Sequence, residues 1–516
     1  MSDDLLDYSR YPQVSGDLHR AVQERGLFDD AKTFVDAKLT APPDVVLKRY
    51  RDRRDDPGFD LESFVGSHFD LPGQIDPGAA EPDGESLEDY VEALWSALVR
   101  RFEPDPDGGG TLLSMPNPHV VPGGRFREAY YWDSYFTAEG LAAAGRLDRV
   151  ADLVENFANL IERFGFIPLG NRVYYDSRSQ VPLFYRTLSI LERERGVAAI
   201  EEYLPSLERE YEFWTAGVED ALPADGPVAH RRVVRTTDGT VLNRYWDDRA
   251  TPRPESYDHD ARLGDSVPED RRQALYRDLR AACESGWDFS SRWLTDPGDL
   301  STARTTDLAA VDLNAVLYGD EASLAEWYDA TGESERARRY ESLAATRRDA
   351  IDRYFWDEEA EWYVDYCWTD DEPSERLVLA GVAPLFTGAA RPERTDAVAR
   401  RLRESFLAEG GLLTTLHESG EQWDAPVGWA PLHWMAVVGL RQYNHHDLAA
   451  EVADRWLNLV ESEFERTGRT AEKYDVRDCS LANGHGEYEL QYDFGWTAGV
   501  SLALRSLPGA DVGVAD

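Results

Sequence analysis

Apolar residues recur at helical spacing along most of the chain from Ser86 onward. Leu87, Val91, Leu94, Leu98 and Phe102 mark one face, and Ser86 stands three residues before Asp89, as in a capping box. Leu147, Val150, Val154, Phe157, Ile161 and Phe164 mark another, with Gly165 as a stop signal and Pro168 beyond it. Similar stretches fall near residues 179–196, 199–217, 269–285, 306–330, 334–356, 391–409, 430–443 and 446–466. The pattern predicts roughly a dozen helices joined by short loops. Period-2 alternation is sparse and clearest over residues 233–242 around Asp238-Gly239, which reads as a hairpin. No fixed-period repeat or low-complexity linker divides the chain, so we expect one catalytic domain preceded by a segment of some 60–80 residues.

Composition narrows the class. The 516 residues are 42% hydrophobic and carry 55 Lys+Arg against 98 Asp+Glu, a net charge of −43. The longest apolar run, residues 377–386, is about half of a bilayer span, so no membrane segment is expected. With no basic stripe, phosphate backbones and anionic lipid surfaces would repel the chain, and neither nucleic acid nor membrane is an expected partner. The N-terminus is acidic where a secretory signal is basic and then apolar. The three cysteines, Cys283, Cys367 and Cys479, form neither a disulfide framework nor a zinc pattern. Together these two features predict a cytoplasmic protein. Lysine has almost vanished: Lys32, Lys38, Lys48 and Lys473 are the only four. Self-repulsion at this charge is tolerated where concentrated counterions screen it, which points to a salt-rich cytoplasm.

No phosphate-binding loop, dinucleotide fingerprint, zinc-protease motif or nucleophile elbow occurs, and the histidines show no metal-ligand spacing. No cofactor and no metal are expected. Asp105-Pro-Asp107-Gly108 lacks the remaining acids of a calcium loop and reads as a turn. What remains is acids set among aromatics: residues 122–135, Ser285-Gly-Trp-Asp-Phe-Ser-Ser-Arg-Trp293, residues 421–431, Glu472-Lys-Tyr-Asp475 and residues 484–496. Such sets suit a small hydroxyl-rich ligand, because aromatic faces cover the C–H side of a sugar while charged and amide groups satisfy its hydroxyls. Glycoside hydrolysis needs one carboxyl kept protonated and one kept ionised. Asp288, between Trp287 and Phe289, fits the acid, since burial beside aromatics raises a carboxyl pKa. Glu472, beside Lys473, fits the base, since a neighbouring cation favours the charged form.

At these residues a family likeness emerges. Pro122-Gly-Gly-Arg-Phe-x-Glu-x-Tyr-x-Trp-Asp-x-Tyr135 and Gln422-Trp-Asp-x-Pro-x-Gly-Trp-x-Pro431 resemble the two signatures of the α,α-trehalases of glycoside hydrolase family 37. Seven further segments resemble the family in its order: residues 27–36, 177–180, 243–256, 284–288, 311–314, 472–475 and 494–497. The resemblance implies an all-α fold, an (α/α)6 barrel with minor β-hairpins, and inverting hydrolysis of trehalose to two glucoses without a metal. It implies Asp288 as general acid and Glu472 as general base. It further implies substrate contacts from Arg125, Trp132, Asp133, Arg178, Gln180, Arg253, Glu255, Gly286 and Glu487. On this basis residues 1–75 form an N-terminal segment packed on the barrel, 76–508 the barrel and 509–516 a short tail, in a monomeric enzyme whose partner is its sugar.

Inversion implies a water between base and sugar, hence carboxyls of Asp288 and Glu472 roughly 6.5–9.5 Å apart. Within the motifs, Trp132, Trp287 and Trp423 are expected to line the site. Two departures bear on the substrate. Leu169 replaces an asparagine usual in the family, and the glycine run before Glu487 is thinned to Gly484-His485-Gly486. They leave two alternatives, another inverting α-glucosidase on the same barrel, acting on maltose-like sugars or a glucosyl compatible solute, and a trehalose-binding protein without catalysis.

The charge generates a direct test. In dilute buffer the protein is expected to unfold, by circular dichroism, and to regain its fold in about 1 M KCl, where the Debye length falls to roughly 3 Å; full stability without salt removes the salt-adapted reading.

Overall fold

The computed structural model describes residues 5–73, 86–101, 109–221 and 226–508. Phe102, the Asp105-Pro-Asp107-Gly108 turn, the 75/76 boundary and the 509–516 tail lie outside them. Six helices form an inner ring: Tyr131–Ala143, Phe184–Arg195, Val311–Ala330, Ala383–Thr387, Ala430–Gln442 and Gly495–Ser506. Each packs on the next, and the sixth packs on the first, so the ring closes. Helices outside it include Leu87–Leu98, Leu147–Phe164, Leu204–Thr215, Ser334–Tyr354, Pro392–Arg401 and His446–Thr467. This is an (α/α)6 barrel.

The division into rings is written in the side chains. Tyr131–Ala143, Val311–Ala330 and Ala430–Gln442 are apolar on most sides and buried along most of their length. Leu147–Phe164 buries Val150, Val154, Phe157 and Ile161 on one stripe and turns acids and arginines outward, as an outer helix must. It ends where the sequence signals, at Gly165 with φ 84°, whose N–H bonds the Ile161 carbonyl. Ser86 caps Leu87–Leu98 by accepting from the Asp89 N–H at 3.2 Å.

The expected hairpin is present as Val233–Arg235 paired with Val241–Asn243, joined by a third strand, Val228–His230. The other sheets are short antiparallel pieces of two or three strands. Ahead of the barrel, the helices Gly16–Glu24, Lys32–Val35, Pro43–Arg53 and Leu61–His68 enclose a small core of their own, including Leu18, Phe34, Val46 and Phe64. This segment is tied to the barrel by Tyr174, whose hydroxyl donates to Asp36 at 2.6 Å, and by Thr111, which donates to the Val35 carbonyl at 2.9 Å.

The first and last inner helices touch backbone to backbone. A Cβ on Gly140 would lie 2.2 Å from the Gly499 Cα, leaving no room for a methyl group. Gly140→Ala is therefore expected to cost about 1–3 kcal/mol by overpacking, seen as a lowered unfolding midpoint; an unchanged midpoint would show that the two helices part easily.

Candidate active site

The site sits in the segments that lead into the inner helices. Trp132 and Asp133 open Tyr131–Ala143; Arg178 and Gln180 precede Phe184–Arg195; Trp429 precedes Ala430–Gln442; Phe494 and Trp496 flank the start of Gly495–Ser506. Asp288 follows the helix Glu269–Ser285, which Gly286 stops at φ 79°. A Cβ on Gly286 would meet the Trp132 ring at 2.7 Å, so the backbone approaches that indole as only glycine allows. Glu472 precedes the strand Lys473–Asp475, which pairs with Val427–Trp429 and so brings two distant signatures side by side.

One cavity is lined by Arg125, Trp132, Asp133, Arg178, Gln180, Arg253, Glu255, Gly286, Asp288, Glu472 and Glu487, the two carboxyls and nine sugar contacts that the resemblance implied. A larger cleft outside it shares Arg125, Glu255, Ser256, Glu487 and Tyr488 with the inner cavity, so these five residues form the neck between the two.

Each cavity arginine is held by acids. Arg125 donates to Asp30 at 2.6 Å and lies 4.6 Å over the Tyr488 ring. Arg178 donates to Glu255 at 2.6 Å and to Asp247 at 3.2 Å. Arg253 bridges Asp260 at 2.6 Å and Glu487 at 2.9 Å. Such planar forks are fixed in direction, and they can present remaining N–H groups to a ligand. Gln180 spends its amide oxygen on the Trp132 N–H at 3.1 Å, which leaves its NH2 end for the cavity.

The carboxyls differ in their surroundings. Burial pushes the Asp288 carboxyl up to about 7; the charge of Glu487 adds to this, and Arg253 pulls the other way. Burial also raises Glu472, outweighing Lys473, whose Nζ lies 3.0 Å away. Lys473 therefore moderates the upward shift of Glu472 without reversing it, a correction to the expectation from sequence. Glu472 Oε1 is ion-paired with Lys473, while among the described residues Oε2 has no hydrogen-bond partner and is available to a ligand or a water. Asp133 is held well above the ordinary carboxylate range by burial and by the nearby Asp288 and Glu472.

Tryptophans form the wall behind these groups. Trp423 stacks on Trp429 at 4.0 Å and packs 5.6 Å from Trp132. Trp287 stacks on the far side of Trp423 at 5.5 Å, is 1% exposed and does not reach the cavity, contrary to expectation: it is core. Asp424, in the second signature, accepts from Ser290 and Ser291 hydroxyls and Thr415, each at 2.9 Å, and pins its loop to the Asp288 segment. Asp475 accepts the N–H groups of Arg477 and Asp478 in a turn. Asp312 and Asn314, left out of the expected site, pair with Arg292 and the Asn243 backbone.

Lining residues not singled out by local pattern are Lys32, Phe126, Tyr130, Tyr175, Ser256, Cys283, Trp429, Tyr488, Phe494 and Trp496. Leu169, noted in the sequence as a departure, is the one aliphatic side chain lining the cavity. Lysine rarity was a usable signal. Lys32 and Lys473, two of only four lysines, are 1% and 0% exposed at this site.

A family model described as Trehalase matches residues 26–507. The chain belongs to the trehalase family. It is 45% identical over 492 residues to the periplasmic trehalase of Citrobacter koseri, covering 95% of this chain and 85% of that protein. It is 44% identical over 492 residues to periplasmic trehalase of Escherichia coli, with 95% and 86% covered. Among solved structures, the neutral trehalase of Saccharomyces cerevisiae matches with a TM-score of 0.62 at 25% identity, covering 81% of this chain and 79% of that one. A GH63 mannosylglycerate hydrolase of Thermus thermophilus shares the fold, with a TM-score of 0.53 at 19% identity over 81% of this chain and 99% of that one.

The relatives correct one expectation. They are periplasmic trehalases, which overturns the cytoplasmic assignment made from the acidic start and the unpaired cysteines. The cysteine argument fails for a physical reason: Cys283 and Cys367 are buried thiols, and packed sulfur needs no reducing medium to stay unpaired.

Proposed function

We propose that this trehalase-family chain hydrolyses α,α-trehalose to two glucose molecules, with inversion at the attacked anomeric carbon. Family membership and close likeness to trehalases along 95% of the chain support the reaction. The observation that carries the residue assignment is the convergence of Asp288, raised to about 7, and the open-faced carboxyl of Glu472 on one cavity.

In this reading Asp288 arrives protonated and gives its proton to the glycosidic oxygen as the C–O bond breaks. Glu472 takes a proton from a water that attacks the anomeric carbon from the opposite face. Arg125, Arg178, Arg253, Gln180, Glu255, Asp133, Glu487 and the Gly286 backbone hold hydroxyls, and the indole of Trp132 covers a sugar face. No metal or cofactor takes part in this scheme. Residues 1–75 act as part of the catalytic unit, since Asp30 and Lys32 reach the site from them.

Proton NMR of the first minutes of trehalose cleavage is expected to show α- and β-glucose in equal initial amounts. Retention, or consumption of another α-glucoside with trehalose untouched, would overturn the assignment. Asp288→Asn and Glu472→Gln are expected to lower kcat by at least about 100-fold with the fold intact by circular dichroism.

The pH profile follows from the same two groups. The acid must be protonated, so kcat/KM falls as pH rises through about 7; the base must be ionised, so kcat/KM also falls as pH drops below the raised pKa of Glu472. A rate that stays flat from pH 6 to pH 9 would remove Asp288 from the acid role.

A further inference from the structure

His259 lies outside the catalytic cavity, on the helix Tyr257–Asp265 that edges the outer cleft. Its Nδ1 is 2.8 Å from Glu487 Oε1 and 3.5 Å from Asp260 Oδ1, and its side chain is 46% exposed. Glu487 and Tyr488 bring the 482–491 segment to the neck of the cavity, and the Glu487 carboxylate is held from two sides, by Arg253 and by His259.

That segment is fixed at its ends, by Ala482 in the core and by Gln491, whose carbonyl accepts the Glu472 N–H at 3.0 Å and whose side-chain oxygen accepts the Arg125 N–H at 2.8 Å, and has fewer fixings between them. Gly484 and Gly486 take left-handed conformations, at φ 80° and 89°, and Asn483, Gly484, Gly486 and Glu489 are exposed, whereas the Glu487 side chain is mostly covered. Tyr488 is held by Arg125 and Lys473 over its ring, and the Gly486 N–H bonds the Gly420 carbonyl at a long 3.3 Å. The middle of the loop, residues 483–487, is short of buried apolar contacts and depends on its few polar anchors. Although His259, Asp260 and Glu487 bring ligand atoms within 4.8 Å of one another, the guanidinium of Arg253 already supplies the cation for both carboxylates.

We propose that His259 is a positioning residue: it holds the Glu487 carboxylate at the neck, and through it keeps the 482–491 segment closed over the cavity. The inference rests on the trehalase reading only for its kinetic arm.

The latch responds to pH. Hydrogen bonds to Asp260 and Glu487 raise His259 to about 9, so it is cationic at neutral pH. Its folded pKa exceeds the ordinary value of about 6.5, so its contribution to closure is complete below that pH and is lost as pH rises through about 9. The other charged groups facing it are Arg253 and Glu487, Asp258 paired with Arg262 on its own helix, and Glu421 across the cleft. On the inner side of that helix, His19 packs edge-on against Tyr257, and Tyr276 closes against Gly264. Glu421 is pushed up to about 7, by burial and then by Glu487, and titrates earlier than His259; it is present in wild type and variant alike.

Hydrogen exchange on the full chain without sugar, comparing wild type, His259→Ala and His259→Gln at one pH, tests the latch. At pH 7.5, amides of residues 482–491 are expected to exchange about three- to tenfold faster in the alanine variant, with the inner helices unchanged and the uncharged glutamine variant between alanine and wild type. In turnover, the alanine variant is expected to raise KM for trehalose by a similar factor while moving kcat less, and wild-type KM is expected to climb toward it between pH 8 and 10. Unchanged exchange at 482–491, or an alkaline rise in KM that persists in His259→Ala, would overturn the proposal. If wild type leaves trehalose intact, the trehalase reading fails, and the exchange measurement still decides the latch.

Discussion

The chemistry at the end of this barrel is set by the cost of withdrawing charge from water. Asp133, Glu255, Asp288, Glu472 and Glu487 share one cavity with Arg125, Arg178 and Arg253. An isolated ion there would be strongly penalised, so each arginine is given acids at hydrogen-bond distance, and the arginines are in turn fixed in direction. The carboxyls left without such a partner are the informative ones. Asp133, Asp288 and Glu472 are driven upward by burial, while Glu487, between Arg253 and His259, is lowered to about 2 even though burial opposes it. Environment alone sorts similar side chains into raised and lowered carboxyls.

That sorting needs a rigid wall, which the indoles supply. Trp423 and Trp429 stack face to face, with Trp132 and Trp496 against them. These rings come from three segments far apart in sequence. The strand pairing of Trp429 with Lys473, and the hydrogen bond from Gln422 to the Asp288 carbonyl at 2.5 Å, lock the Asp288 and Glu472 segments onto that wall. Position and electrostatics are thus built from the same contacts.

The outer helices were legible because they are long and periodic, with the stop at Gly165 and the cap at Ser86 where local chemistry puts them; the inner helices Tyr131–Ala143, Ala383–Thr387 and Gly495–Ser506 escaped the pattern because they are buried along most of their length or only five residues long. All eleven expected site residues converge because the motifs carrying them are contiguous and unusual in composition. Other features depend on tertiary neighbours that no local pattern encodes. Nothing in Ser285–Trp293 distinguishes Trp287, which packs behind Trp423, from a ring that faces the cavity. The dominance of burial over Lys473 at Glu472 appears only once the surrounding residues are in place. Tyr130 and Tyr175 join the site through hydroxyls 2.8 Å apart, a contact spanning 45 residues.

The salt link between Asp30 and Arg125 places the edge of the functional unit well outside the ring of helices. Lys32, anchored on Asp36 and Glu128, reaches the cavity from the same early segment. A barrel recombined with a foreign leading segment would keep its inner helices, yet Arg125 would lose the acid that aims it. The N-terminal segment is therefore part of how the cavity is built, and a modular exchange at the barrel's border would part a cavity-lining arginine from the acid that orients it.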